Sequence, residues 1–205
     1  MSIIAAAGCS RRFPWNKLTF PISGEPLISR ALRSALESSA GAVILVTGCR
    51  RDEAIGALGD LARDPRVVEV FNDRYSETEM GYSVGLGARR ALEAFGDSVE
   101  GILVAPADAA WIPSVAYDLL IDRHRSYRWK IVVASHMGRR GHPILFDSSL
   151  AHEVAGAGSL PRGLKSIVEE HEREVREVEV NHPGVLLDLD SPNDLNRVKG
   201  GLCLW

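Results

Sequence analysis

The chain predicts a three-layer α/β/α sandwich built on a mostly parallel sheet, and three observations carry that prediction. Short apolar runs alternate with segments of helical spacing along nearly the whole length, the pattern of repeated strand–helix units. Two runs, AVILVT at 42–47 and GILVA at 101–105, are nearly continuously apolar, as strands covered on both faces are. With 205 residues, 45% hydrophobic and 25% charged, the chain can build one sizeable core and has an ordinary globular composition. One domain over 1–205 is the expectation.

The elements follow in order. Ile3 to Ala7 is a buried first strand, ended by Gly8. Leu27, Ile28, Ala31, Leu32, Ala35 and Leu36 share one face of a first helix that Gly41 closes. After the strand 42–47, Asp52 caps a helix over 53–63 with Ile55, Leu58 and Leu61 turned inward. Arg66 to Phe71 is a third strand, Ser83 to Phe95 a third helix, and 101–105 the next strand. A helix over 113–124 and a strand over 130–135 continue the alternation. Beyond it the pattern is less regular: a strand over 142–146, short helices at 149–154 and 162–170, and an edge strand over 176–180. A last helix spans 192–198, with Ser191 as its cap.

Four stretches carry chemistry. The loop Gly8-Cys9-Ser10-Arg11-Arg12-Phe13-Pro14-Trp15-Asn16-Lys17 leaves the carboxyl end of the first strand, where open α/β sheets bind ligands. Its glycine allows close backbone approach, and Ser10, Arg11, Arg12 and Lys17 offer donors and positive charge suited to phosphate. The strand 101–105 exits into Pro106-Ala107-Asp108. An acid there lies near the first loop if the two strands are neighbours, and its hard oxygens suit Mg²⁺. Near the C-terminus, Asp188 and Asp190 project from an apolar run before Ser191-Pro192, while Asp194 belongs to the first turn of the last helix. Between them, Gly138-Arg139-Arg140-Gly141-His142-Pro143 reads as a flexible cationic loop suited to an anionic acceptor.

These stretches resemble the motifs of the MobA-like nucleotidyltransferases, the molybdenum-cofactor cytidylyl- and guanylyltransferases. The family's opening signature, Leu-Ala-Ala/Gly-Gly-x-Ser-x-Arg-Met-Gly-x-x-Lys, is matched at Ala6, Ala7, Gly8, Ser10, Arg12 and Lys17 and departs at Ala5 and at Phe13-Pro14. Its Gly-x-x-Gly-His-Pro-Val-x-Phe segment is matched over 138–146, and its Asp-Ile-Asp-Thr-Pro-x-Asp motif over 188–194. Where the family has Asp-x-Pro, this chain has Asp108-Ala109-Ala110. Asn72 and Ser83 correspond loosely to the family's Asn-Pro-x-Trp…Ser element, and Arg162 faintly to an arginine of its Gly-x-x-Gly-x-Arg loop.

The resemblance implies a nucleotide-diphospho-sugar transferase fold, of GT-A-like Rossmann type, and an Mg²⁺-dependent transfer from an NTP to a phosphorylated acceptor. By it, Lys17, Arg12 and Asp108 are catalytic, and Asp108 and Asp190 hold the metal. Ala6, Ala7, Gly8, Ser10, Asn72 and Ser83 join Arg12 and Lys17 around the nucleotide. Arg139, Arg140 and His142 receive the acceptor. Ala6-Ala7-Gly8 matches the cytidylyl rather than the guanylyl form, so CTP is expected over GTP. The molybdenum cofactor is the implied acceptor; a sugar phosphate, phosphocholine or a phosphonate stays open, as does a nucleotide-binding sensor or chaperone without turnover. Molybdoenzymes or cofactor-handling proteins are the protein partners the resemblance implies.

A dinucleotide-binding Rossmann domain is excluded, because Gly8 stands alone and the second strand runs into Gly48-Cys49-Arg50-Arg51 rather than an acid. A net charge of -3 gives no bulk attraction to nucleic acid or to an anionic membrane. No apolar run reaches transmembrane length, and the N-terminus does not read as a signal peptide. Three cysteines (Cys9, Cys49, Cys203) without metal-like spacing predict reduced thiols in a cytoplasmic protein, with Cys9, inside the phosphate-suited loop, read as a small filler ahead of a reactive thiol.

Overall fold

Strand β1 (Ser2–Ala6) pairs in parallel on both sides, and this pairing determines where the chemistry sits. Its neighbours are β4 (Val43–Thr47) and β6 (Gly101–Pro106). The structure, a computed structural model, describes residues 1–189 together with 191 and 194. Beyond β4 lies β5 (Val67–Phe71), and beyond β6 come β8 (Arg139–Asp147), β7 (Ile131–His136) and β9 (Val175–Glu179). The seven-stranded order is thus β5-β4-β1-β6-β8-β7-β9. Within this sheet, among the described residues, only the β6–β8 and β7–β8 pairs are antiparallel. A two-stranded hairpin, β2 (Pro21–Ile22) and β3 (Glu25–Pro26), turns through Ser23 and Gly24, both at positive φ.

Side chains on successive strand positions point to opposite faces, so each apolar run feeds two cores. Ile4, Val43, Leu45, Leu103 and Ala105 face α1 (Leu27–Glu37), α2 (Arg51–Leu58) and α4 (Ser114–Tyr127). Ile3, Ile44, Val46, Ile102 and Val104 face α3 (Met80–Phe95), α5 (Ala151–Gly156) and α6 (Leu164–Glu170). The three layers and the mostly parallel sheet are as the sequence predicts.

The differences lie at element ends. α1 stops at Glu37, because the Ser38 hydroxyl donates to the Ala35 carbonyl and accepts from the Ala40 amide before Gly41 is reached. α2 opens one residue before Asp52, from Arg50 in the left-handed region, and gives way at Gly59 to a 3-10 turn. α3 begins at Met80, three residues earlier than the periodicity places it. The expected helix over 192–198 falls outside the described residues except at Asp194, whose carboxylate accepts from the Ser191 amide and hydroxyl at 2.7 and 2.8 Å. Among the described residues no helix is long and apolar enough to cross a membrane.

Candidate functional site

Ala6 stands beside Thr47 and Ala5 beside Pro106 in the parallel register, so three strands end together at one edge of the sheet. The loops leaving them border a cleft of about 560 Å³, within the range of small-ligand sites. Ala6, Ala7, Gly8, Ser10, Arg12 and Lys17 line it, as do Asn72, Ser83 and Asp108. Strands that are far apart in the chain thus assemble nine of the residues expected at the site.

The loop after β1 is held by its own polar groups. Ser10 adopts a left-handed φ of 50°, its carbonyl accepts from the Phe13 amide at 2.8 Å, and its hydroxyl lies 3.4 Å from the Lys17 amide. A side chain at Gly8 would meet nothing within 4 Å, so the fold itself does not need that glycine. The open space beside it belongs to the cleft. Asn16 is buried and accepts from the Leu18 amide at 3.1 Å, capping the 3-10 turn that begins at Lys17. That cap orients the lysine, and the Asn-Lys pair was the available signal for it.

Lys17 is the centre of the site. Its ammonium donates to the Asp108 carboxylate and, at 2.7 Å, to the Leu189 carbonyl. Both charged side chains are mostly buried, at 14% and 18% exposure. Asp108 in turn offers its main-chain carbonyl to the Leu189 amide at 3.3 Å, which ties the C-terminal segment to the β6 exit. Leu189 is anchored in a small apolar cluster with Phe13 and Trp111. A carboxylate and a carbonyl therefore converge on one cation, and hard oxygens of this kind also suit a divalent ion. Asp190, the expected second metal ligand, lies outside the described residues; Asp188 is exposed. Among the described residues no three acids, imidazoles or thiols cluster to hold a metal alone. The arrangement suits an ion that brings phosphates and water with it. The carbonyl of Leu189 has no sequence signal, because any residue carries one.

The opposite wall is the segment between β5 and α3. Asn72 is buried, donates to the hydroxyls of Thr78 and Ser83 at 3.1 Å each, and accepts from the Arg74 amide at 2.9 Å. Asn72 and Ser83 thus shape the wall as well as lining the cleft. From the first loop, Arg11 reaches across to the Ser76 carbonyl at 3.4 Å.

Two expectations require correction. Cys9 and Cys49 are not reduced: they form a disulfide with Cα atoms 4.9 Å apart. The separation of 40 residues hides it, since the contact exists only because β1 and β4 are neighbours. The segment 138–141 is not a flexible loop, because Arg139 and Arg140 belong to the paired strand β8, opposite His136 and Ser135. Arg140 is gripped by Glu177 at 2.8 Å and Glu172 at 2.8 and 3.1 Å, which raise its pKa. Neither arginine lines the cleft. His142 is half-buried with Nδ1 sealed and without a partner among the described residues. Burial holds its pKa below the usual imidazole value, opposed by the charge of Asp108. It is not among the residues that line the cleft. Arg162 is exposed and paired with Glu169.

The sequence model of the MobA-like NTP transferase domain matches residues 2–175. The purine catabolism protein PucB of Bacillus subtilis is 29% identical over 209 residues, spanning 97% of this chain and 95% of that protein. The crystal structure of an Rv0371c homologue from Mycobacterium sp. strain JC1 superposes with a TM-score of 0.79 at 22% identity, covering 98% of this chain and 96% of that one. Rv0371c of Mycobacterium tuberculosis, solved as a complex with manganese, superposes with a TM-score of 0.71 at 21% identity, covering 98% and 97%.

Proposed function

The chain belongs to the MobA-like NTP transferase family, and from that premise we propose that it transfers CMP, in preference to GMP, from an NTP to a phosphorylated acceptor, releasing pyrophosphate. The observation that carries the reading is the Lys17 ammonium beside Asp108 at the mouth of a cleft bordered by the Gly8–Lys17 loop.

The acceptor phosphate attacks the α-phosphorus, and the bond to the β-phosphate oxygen breaks. An anionic acceptor needs no general base, so positioning and charge neutralisation supply the catalysis. Lys17 swings from the carboxylate to the α-phosphate oxygens, where negative charge concentrates in the transition state. Arg12 and the loop amides after Gly8 hold the β- and γ-phosphates. Asp108, with Asp190, would hold Mg²⁺, which neutralises phosphate charge when bound. The convergence of the Asp108 carboxylate and the Leu189 carbonyl on a cation fits that role.

Ala6-Ala7-Gly8, shared with the cytidylyltransferases of the family, supports CTP. The family resemblance likewise supports the molybdenum cofactor as acceptor. The test is pyrophosphate release across the four NTPs, with molybdopterin, sugar phosphates, phosphocholine and a phosphonate as acceptors. Release with CTP and molybdopterin is expected. Absence of release in every combination overturns the enzymatic reading.

A further inference from the structure

The loop that would hold the phosphates is covalently tied to a second segment. Cys9, which lines the cleft, is bonded to Cys49 in the turn between β4 and α2. Next to the bond, the Cys49 amide donates to the Ala7 carbonyl at 3.1 Å. Gly48 is packed so closely that an added Cβ would lie 2.8 Å from the Ala7 Cβ, the Ala7 carbonyl oxygen and the Tyr75 Cβ. Three segments therefore meet at the disulfide: the phosphate loop, the β4–α2 turn and the opposite wall. Both cysteines are partly exposed, so a small thiol can reach the bond. Arg11 and Arg12 follow one cysteine in the chain, and Arg50 and Arg51, paired with Glu53 and Glu69, follow the other.

We propose that Cys9–Cys49 is a reversible thiol–disulfide switch that sets the affinity of the cleft for nucleotide. This rests on the nucleotidyltransferase reading of the cleft. A thiolate of a dithiol reductant attacks one sulfur and expels the other cysteine as thiolate. The second thiol of the reductant then resolves the mixed disulfide. Two electrons pass to the protein, both cysteine sulfurs end as thiols or thiolates, and the reductant leaves as its own disulfide. The oxidised bond holds the loop entrance against the β4–α2 turn before nucleotide arrives. Reduction leaves non-covalent ties, among them the Cys49–Ala7 hydrogen bond, the packing at Gly48 and the Arg11–Ser76 contact, so binding must order the loop again. Preorganisation of a loop of this size is worth roughly tenfold in affinity. In a reducing compartment, disulfides of this kind are transient and serve sensing.

The experiment measures CTP–Mg²⁺ binding by calorimetry on protein oxidised with diamide and again after dithiothreitol. Thiol titration of the denatured protein should count one thiol in the oxidised state and three in the reduced state, given three cysteines in all. The dissociation constant should rise about tenfold on reduction. Cys49→Ser, at a position outside the cleft lining, should bind like the reduced wild type and ignore the reductant. Three thiols after oxidation overturn the proposal, as does an equal dissociation constant in the two verified states. So does a Cys49→Ser protein that still responds to dithiothreitol. The wild-type comparison decides the matter even if the variant does not fold. Failure to bind any NTP in either state removes the nucleotidyltransferase reading as well.

Discussion

Gly8-Cys9-Ser10-Arg11-Arg12 and Gly138-Arg139-Arg140-Gly141 each set two arginines beside a glycine, and on composition alone both suit an anionic ligand. The first leaves the carboxyl end of an inner parallel strand. There the backbone must depart from the sheet, and its arginines border a cleft. The second sits where β7 turns back into β8 through Met137 and Gly138, both at positive φ, so its residues stay in ladder pairing. Arg140 then finds Glu172 and Glu177 within hydrogen-bond distance and spends its charge on them. The lesson is that a cationic motif makes a binding site only where the fold does not supply its counter-ion. Lys17 extends the point: its own counter-ion, Asp108, is one that phosphate chemistry can exchange.

The largest expected effect tests that contrast directly. Asp108→Asn and Lys17→Met should each lower turnover by ~10²-fold or more, as when a preorganised charge is removed from a transition state. Arg140→Gln should leave kcat within about twofold and cost the fold up to ~1 kcal/mol, the scale of partly exposed ion pairs. Steady-state kinetics with denaturant melts separates the two. A raised KM for the acceptor in Arg140→Gln would return the hairpin to the site and break the comparison.

A smaller effect concerns the base. Ala7 lines the cleft while its methyl rests near Gly48, so its removal enlarges the loop entrance. Ala7→Gly should shift the kcat/KM ratio of GTP to CTP towards GTP by ~1–3 kcal/mol, the usual reach of shape exclusion. An unchanged ratio would mean that the loop entrance does not select the base.

The smallest lies on the hairpin side of the molecule. His171 bridges Glu153 at 3.0 Å and Glu174 at 2.9 Å, and these partners raise its pKa. A cation with a raised folded pKa stabilises fully below its unfolded value of about 6.5, and the contribution fades as pH rises through the folded value. His171→Gln should therefore cost ~0.5 kcal/mol at pH 5.5 and less at pH 8.5, with turnover unaffected. Chemical denaturation at the two pH values reads the difference. A cost that grows with pH would show that the imidazole acts through packing rather than charge.

Much of the site was legible because its residues announce themselves locally. Gly8, Ser10, Arg12 and Lys17 follow an apolar run, Asp108 follows another, and parallel strands bring such exits to one edge. The partners these residues choose were not legible. Asn72 donates to the hydroxyls of both Ser83 and Thr78, a use that a loose motif match does not contain. Asn16 reads as part of a loop until its amide is seen capping the turn that aims Lys17.

By itself the sequence determined the layered α/β class, the strand runs and the phosphate-suited loop, because periodicity, β-branching and turn residues act over a few neighbours. Tertiary structure decided the rest. It inserted β8 antiparallel beside β6, converting the expected cationic loop into a neutralised hairpin. It joined Cys9 to Cys49 across 40 residues, and brought Lys17 to Asp108 across 91 and to the Leu189 carbonyl across 172. These contacts depend on strand order, and strand order is the outcome of packing the whole core rather than a property of any one segment.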